Sequence, residues 1–141
     1  MPSPTALQAS PDATLDSWLT RTDWTLHKEA SDAVETVEAL REGVPVVSRS
    51  QLQAIKNTAS LCGNPKTFRR FLKKRKQRRA RDDKKKKAAF WGGLMKQIKE
   101  AEKHAKAAES EVGTLSASDK MRVVASYVDH LVAHCQLRSK N

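Results

Sequence analysis

The chain is short of the residues that build most sheets and most catalytic sites. Aromatic residues make up 5% of it, with a single tyrosine, and apolar residues of all kinds only 38%. A core must therefore rest on Leu, Val, Ala and a few Trp and Phe, which favours helices over strands rich in aromatic residues. Cysteine is equally sparse. Cys62 and Cys135 are far apart, neither has a C-x-x-C partner, and each falls inside an apolar helical pattern, so a disulfide scaffold is excluded and buried reduced thiols are expected. No apolar run approaches the ~18 residues that cross a bilayer. The start MPSPTALQASPDATLD has neither the basic opening nor the apolar stretch of a signal peptide, so an intracellular, cytoplasmic protein is expected. Glycine-rich phosphate loops, nucleophile elbows and His/Glu metal motifs are all missing, and the expectation is a non-enzyme with no cofactor.

What the chain has in excess is positive charge, and it is concentrated. The segment 66–87 holds fourteen Lys or Arg against Asp82 and Asp83, a local balance of +12, while the rest carries 13 basic and 14 acidic residues. Such a strip repels itself unless an anion is near, and nucleic-acid phosphate is the commonest such anion. The alternative is a solvated charge run or an import signal. Folded-looking sequence on both sides favours a binding surface. Its candidate phosphate contacts are Lys66, Arg69, Arg70, Lys73, Lys74, Arg75, Lys76, Arg78, Arg79, Arg81, Lys84, Lys85, Lys86 and Lys87. Few aromatics lie near enough to stack on bases, because Phe68, Phe71, Phe90 and Trp91 all fall in apolar stripes. Recognition of backbone shape without sequence readout is expected. Beyond Leu72 the strip has no apolar face, which argues against insertion into a membrane surface.

The helical pattern divides the chain. Residues 1–11 hold three prolines with Ser, Thr and Ala and read as a disordered tail. Residues 12–43 form an acidic N-terminal helical segment, with Leu15, Trp18 and Leu19 on one face and a clearer helix opening at Ser31-Asp32. Gly43 is read as its left-handed stop, and Pro45 blocks continuation. This third either packs as a first helical pair or shields the cationic strip until RNA displaces it. Residues 44–141 then form a basic helical bundle. Ser48-Arg49-Ser50-Gln51 is a capping box, followed by Leu52, Ile55, Ala59 and Cys62. Gly63-Asn64-Pro65 reads as stop, cap and first-turn proline for a helix burying Phe68, Phe71 and Leu72. A stripe from Phe90 through Ile98 to Val112 ends at Gly113, and Gly92-Gly93 inside its first turn suggests a close backbone approach. Ser116-x-x-Asp119 caps a last helix carrying Met121, Val124, Tyr127, Val128, Leu131, Val132 and Cys135. No alternating pattern exceeds Val44 to Val47, so the fold class is all-α, a small bundle of about five helices.

Two constellations carry residue types suited to chemistry. His130 and His134 are four apart, a zinc-compatible spacing, but His27 and His104 lie outside any ligand spacing, and packing histidines are the simpler reading. Asp82-Asp83 resembles a nuclease carboxylate pair, yet among so many cations local ion pairing is favoured.

Val46-Val47-Ser48-Arg49-Ser50-Gln51-Leu52 opening a helix, the capped turn into Phe68 to Leu72, the basic middle and a last helix reading from Lys120 through Tyr127 to His134 together resemble the small subunit of type III CRISPR effector complexes, over about residues 46–137. The resemblance implies a non-catalytic helical bundle that stacks on copies of itself inside a ribonucleoprotein and contacts crRNA and target RNA by their backbones. It places contacts at Arg49, Lys56, Arg69, Arg70, Lys73 and Lys74. The Lys84 to Lys87 run and the acidic N-terminal third depart from that pattern. Two other classes stay open: a general RNA- or DNA-associated protein, and an adaptor whose Lys73 to Arg79 is an import or RNA-element signal.

Overall fold

Leu15, Trp18, Leu26, Ala30, Ala33 and Val34 recur at helical spacing and are all buried, and they belong to one long helix. The computed structural model describes residues 11–44, 47–81 and 85–138. Within them six helices follow in order: α1 Pro11–Thr36, α2 Glu38–Gly43, α3 Arg49–Leu61, α4 Pro65–Arg81, α5 Lys85–Val112 and α6 Ala117–Arg138. No strand occurs among the described residues, so the all-α expectation holds, with six helices in place of about five.

The extra helix arises because α1 starts well before Ser31 and breaks at Val37. That residue takes an extended conformation (φ −78°, ψ 112°) and its carbonyl accepts from Leu40 and Arg41 to open α2. Gly43 is not the left-handed stop the sequence suggested. It is the buried last residue of α2 and is not left-handed, and a Cβ on it would stand 2.5 Å from Phe90 Cβ and 3.0 Å from the Lys86 carbonyl. Its missing side chain lets α2 cross α5 at close range. Gly93, where a Cβ would lie 3.0 Å from Ala39 Cβ, marks the same crossing. The close approach expected of the Gly92-Gly93 pair is therefore found, although α5 begins at Lys85 and the pair lies beyond its first turn.

The other boundaries follow the caps. Ser48 Oγ accepts from the Gln51 amide at 3.2 Å while Gln51 Oε1 accepts from the Ser48 amide at 3.1 Å, a complete capping box. Asn64 Oδ1 takes the Thr67 amide at 2.8 Å and Ser116 Oγ the Asp119 amide at 3.1 Å. Gly113, with φ 93°, ends α5 in the left-handed region that glycine tolerates. Pro45, Val46 and the residues of the expected tail before Pro11 lie outside the described residues.

α6 is the centre of the bundle, packed by α1, α3 and α5. Asp16 pairs with Arg122, Asp23 with His130 and Glu35 with Arg138, so α1 and α6 run parallel. Trp18 Nε1 donating to Glu111 at 3.0 Å and Glu29 meeting His104 at 2.9 Å set α1 antiparallel to α5. Leu52, Ile55, Phe68, Leu72, Phe90, Trp91, Ile98, Val124, Val128 and Leu131 share the main core; Leu15, Trp18, Ala105, Ala108, Leu115 and Val123 form a smaller cluster at one end. At about 1.5–3 kcal/mol per buried large apolar side chain, this is where the fold's stability resides. Cys135 is buried, whereas Cys62 is only half-buried, and both are free.

Candidate nucleic-acid interface

The cationic segment divides between two antiparallel helices. Phe68 and Leu72 bury the first half of α4, and α4 packs along α5, with Arg69 meeting Glu102 at 3.3 Å and the Lys76 stem passing Gly92, where a Cβ would stand 3.5 Å from its Cε and Nζ. Past Leu72 no apolar residue larger than alanine is available to α4, and past Phe90 none to α5 in the reverse direction. The described turns 73–81 of α4 and 85–89 of α5 thus form a charged hairpin end with little apolar surface to bury.

Its described side chains differ in their state. Arg70, Lys73, Lys74, Lys76, Lys85 and Lys86 are exposed, and among the described residues none of Arg70, Lys73 and Lys74 has an ion-pair partner. Arg75 is half-buried, its guanidinium 5.2 Å above the Phe71 ring, a contact that holds the charge at a fixed place. Arg69, among the expected phosphate contacts, is half-buried and paired with Glu102. Lys66 is exposed at the opposite end of α4. Arg78, Arg79 and Arg81 fall on the last turns of α4 and Lys87 on the first turn of α5. Lys84, with Asp82 and Asp83, lies outside the described residues. Arg49 and Lys56 sit elsewhere, on α3, whose main contact is α6. Arg49 is exposed, while half-buried Lys56 faces Asp129, whose carboxyl is raised above its ordinary range by burial against the opposing pull of Lys56 and His130.

The acidic N-terminal third does not cover the strip with α1. Asp16, Asp23, Glu29 and Glu35 are engaged with Arg122, His130, His104 and Arg138, because α1 docks on α5 and α6. α2 brings carboxylates near the lysines: Glu38 and Glu42 line a shallow depression together with Lys85 and Lys86. The two helices expected over 12–43 are instead one long helix to Thr36 and the short α2, with α1 docked on α6 and α5.

That docking also gathers three histidines. His27, placed outside any ligand spacing by sequence, has its ring 5.3 Å from His130 and 4.6 Å from His134, with Trp24 stacked on its other side at 5.2 Å. His134 is held below its ordinary pKa, chiefly by burial and then by His27, Arg138 and His130, against Glu35. Burial raises the Cys62 thiol and pushes Cys135 up to about 12, and it raises Tyr127, whose hydroxyl donates to Gln97 at 2.7 Å. Among the described residues no three His, Cys, Asp or Glu side chains converge as a metal site, and none of the perturbed groups lines the depressions beside α4 and α5.

A second set of cations was missed by reading the strip alone. Lys96, Lys99, Lys103 and Lys106 follow one another on α5 at spacings of three, four and three, all exposed, and Lys66, Arg69, Lys73 and Lys76 repeat the same spacing on α4. Residues so spaced share a helix face. The signal was present in the sequence but diluted, since Glu100, Glu102 and Glu109 make that stretch nearly neutral when counted linearly.

No protein-family model matches the chain, and neither a curated protein nor a solved structure is detectably similar to it. Among the described residues no helix is long and apolar enough to cross a membrane.

Proposed function

We propose that this protein is a non-catalytic nucleic-acid binder that grips phosphate backbones through the α4–α5 hairpin. The observation that carries this reading is the run of exposed cations, Arg70, Lys73 and Lys74, around the buried Leu72 on α4, with no carboxylate paired to them among the described residues. Mutual repulsion at such spacing costs free energy in the isolated chain and is relieved by a polyanion. An anionic membrane satisfies the charge but not the geometry, because exposed apolar side chains are missing between Lys73 and Gln77. The narrower form of the proposal, a small subunit of a CRISPR RNA-guided complex seated on crRNA and target RNA in the cytoplasm beside other subunits, rests on the resemblance of residues 46–137. The hairpin end fits that role without being specific to it.

The test is recovery of the native protein with its nucleic acid, followed by sequencing. One discrete class of repeat-derived guide RNA, sedimenting with several larger subunits, supports the narrower form. Ribosomal RNA or bulk chromosomal DNA retains the general reading and removes the CRISPR one. Recovery free of nucleic acid at low salt overturns both.

A further inference from the structure

At the end of α4 away from the strip's tip, where Pro65 opens the helix, cations of α4, α5 and α6 frame a groove. Two adjoining depressions of about 370 and 400 Å³ run along it, sharing Pro65, Glu102 and Lys120. Their cationic lining is Lys66 and Arg69 from α4, Lys99, Lys103 and Lys106 from α5, and Lys120 from the first turn of α6. The acids present are already engaged. Glu102 forms an ion pair with Arg69 at 3.3 Å, although its buried Oε2 accepts no hydrogen bond among the described residues, and Glu109 Oε2 accepts the Leu115 amide at 2.9 Å, closing the loop after α5. Lys103 meets Glu100 at 2.8 Å but keeps 74% of its side chain exposed, and Glu100 itself does not line the groove. Lys66, Lys99, Lys106 and Lys120 have no ion-pair partner among the described residues.

We infer that this groove seats one single-stranded polynucleotide by its phosphates, leading the strand along the α4–α5 seam toward the hairpin end. The inference rests on the nucleic-acid reading and adds a location and a strandedness to it. Packed helices lie about 8–10 Å apart axis to axis, so the channel between their shoulders admits one backbone strand; a duplex reaches only the outer lysines. Cation rows on both shoulders approach that strand from two sides. The second row lies about 15 Å long, ten residues at 1.5 Å, which spans a few consecutive phosphates. No aromatic side chain lines the groove, so bases have nothing to stack on and are not distinguished.

The test uses the full chain with fluorescein-labelled fifteen-nucleotide oligouridylate, oligoadenylate and a duplex of the same length, titrated by anisotropy between about 50 and 200 mM salt. The groove variant is Lys99→Gln with Lys106→Gln and Lys120→Gln; Lys99 and Lys106 are exposed and Lys120 is half-buried, and far-UV circular dichroism checks that the variant folds. With ~0.7 counterions released per phosphate on a single strand, the groove variant should flatten the logarithmic salt slope by about 2 and weaken binding at least tenfold near 100 mM salt, equally for both homopolymers. A groove variant that binds the single strand as tightly as the wild type, while the wild type binds well, overturns the groove and leaves the broader function standing. Tighter wild-type binding to the duplex, with equal loss on both, overturns the single-strand assignment. A wild-type protein that binds none of the three probes overturns the groove together with the reading beneath it.

Discussion

Two regions of this molecule are rich in charge and treat it in opposite ways. At the seam where α1 lies on α5 and α6, nearly every charge has a partner: Asp16 with Arg122, Asp23 with His130, Glu29 with His104, Arg21 with Glu111 and Glu35 with Arg138. Between α4 and α5 cations stand in register beside other cations, and the few acids are held within the fold. The seam uses charge to choose which surface α1 docks on and in which direction. The hairpin keeps charge that its own fold cannot neutralise. Charge paired within the fold and charge left unneutralised by it are thus separated in one small bundle.

The largest effect that tests this division compares the core beneath both regions with the hairpin's surface. Leu131 is fully buried where α6 packs into the bundle, so Leu131→Ala should lower stability by about 2–5 kcal/mol. Replacing Arg70, Lys73 and Lys74 with alanine should leave the melting temperature unchanged or slightly raised, while flattening the single-strand salt slope by about 2. Chemical denaturation and binding measured on the same two proteins decide it. A triple variant that melts far below the wild type would show that the hairpin's cations serve the fold after all.

A smaller effect is expected where the two regions are joined, at the α2–α5 crossing. Gly43→Ala places a methyl 2.5 Å from Phe90 Cβ and 3.0 Å from a backbone carbonyl, neither of which can swing aside. Overpacking of this kind costs about 1–3 kcal/mol. Gly63→Ala, with open space around it, is the control, and equal melting temperatures for the two would remove the close-crossing argument.

How much of this was legible beforehand depends on the range of the interaction. Caps are local, and Ser48-Gln51, Asn64 and Ser116 act as read, as do the stripes of α3, α5 and α6. Gly43 was misread because a stop and a close crossing demand the same residue, and only Phe90, far along the chain, tells them apart. The histidine cluster was invisible because His27 and His134 meet through the parallel docking of α1 on α6. The groove was half legible: the α4 row lay in an obvious basic run, whereas the α5 row emerges only when spacing replaces linear counting.

The seam should also make stability depend on pH. Because burial holds His134 below its ordinary value, the unfolded chain takes up that proton before the folded one does. As pH falls below about 6.5 the unfolded state is therefore favoured progressively, until the lower folded pKa is passed. Asp129 acts in the other sense: its raised pKa means that the folded state binds the proton first, so acidification toward the carboxylate range relieves part of its burial penalty. Melting temperatures of wild type and His134→Gln between pH 7.5 and pH 5, a range chosen to lie roughly about the histidine value, isolate the first effect. The wild type should lose more on acidification than the variant, and parallel curves would mean that His134 titrates alike in both states.

The smallest effect separates the two regions by its sign. Pairs such as Glu35 with Arg138 are partly exposed, at 57% and 34% of their side chains, and a double-mutant cycle through Glu35→Gln and Arg138→Gln should give a coupling of only about 0.2–1 kcal/mol. Salt should shrink that coupling, since screening weakens an attraction. On the hairpin the same salt screens a repulsion, so the stability difference between wild type and the variant lacking Arg70, Lys73 and Lys74 should close from the other side, the wild type gaining as ionic strength rises. Denaturation in urea, which adds no ions of its own, at two salt concentrations reads both. If salt weakened the wild type relative to the hairpin variant, Arg70, Lys73 and Lys74 would be making attractive pairs within the fold, and the contrast between a balanced seam and an unbalanced hairpin would fail at its foundation.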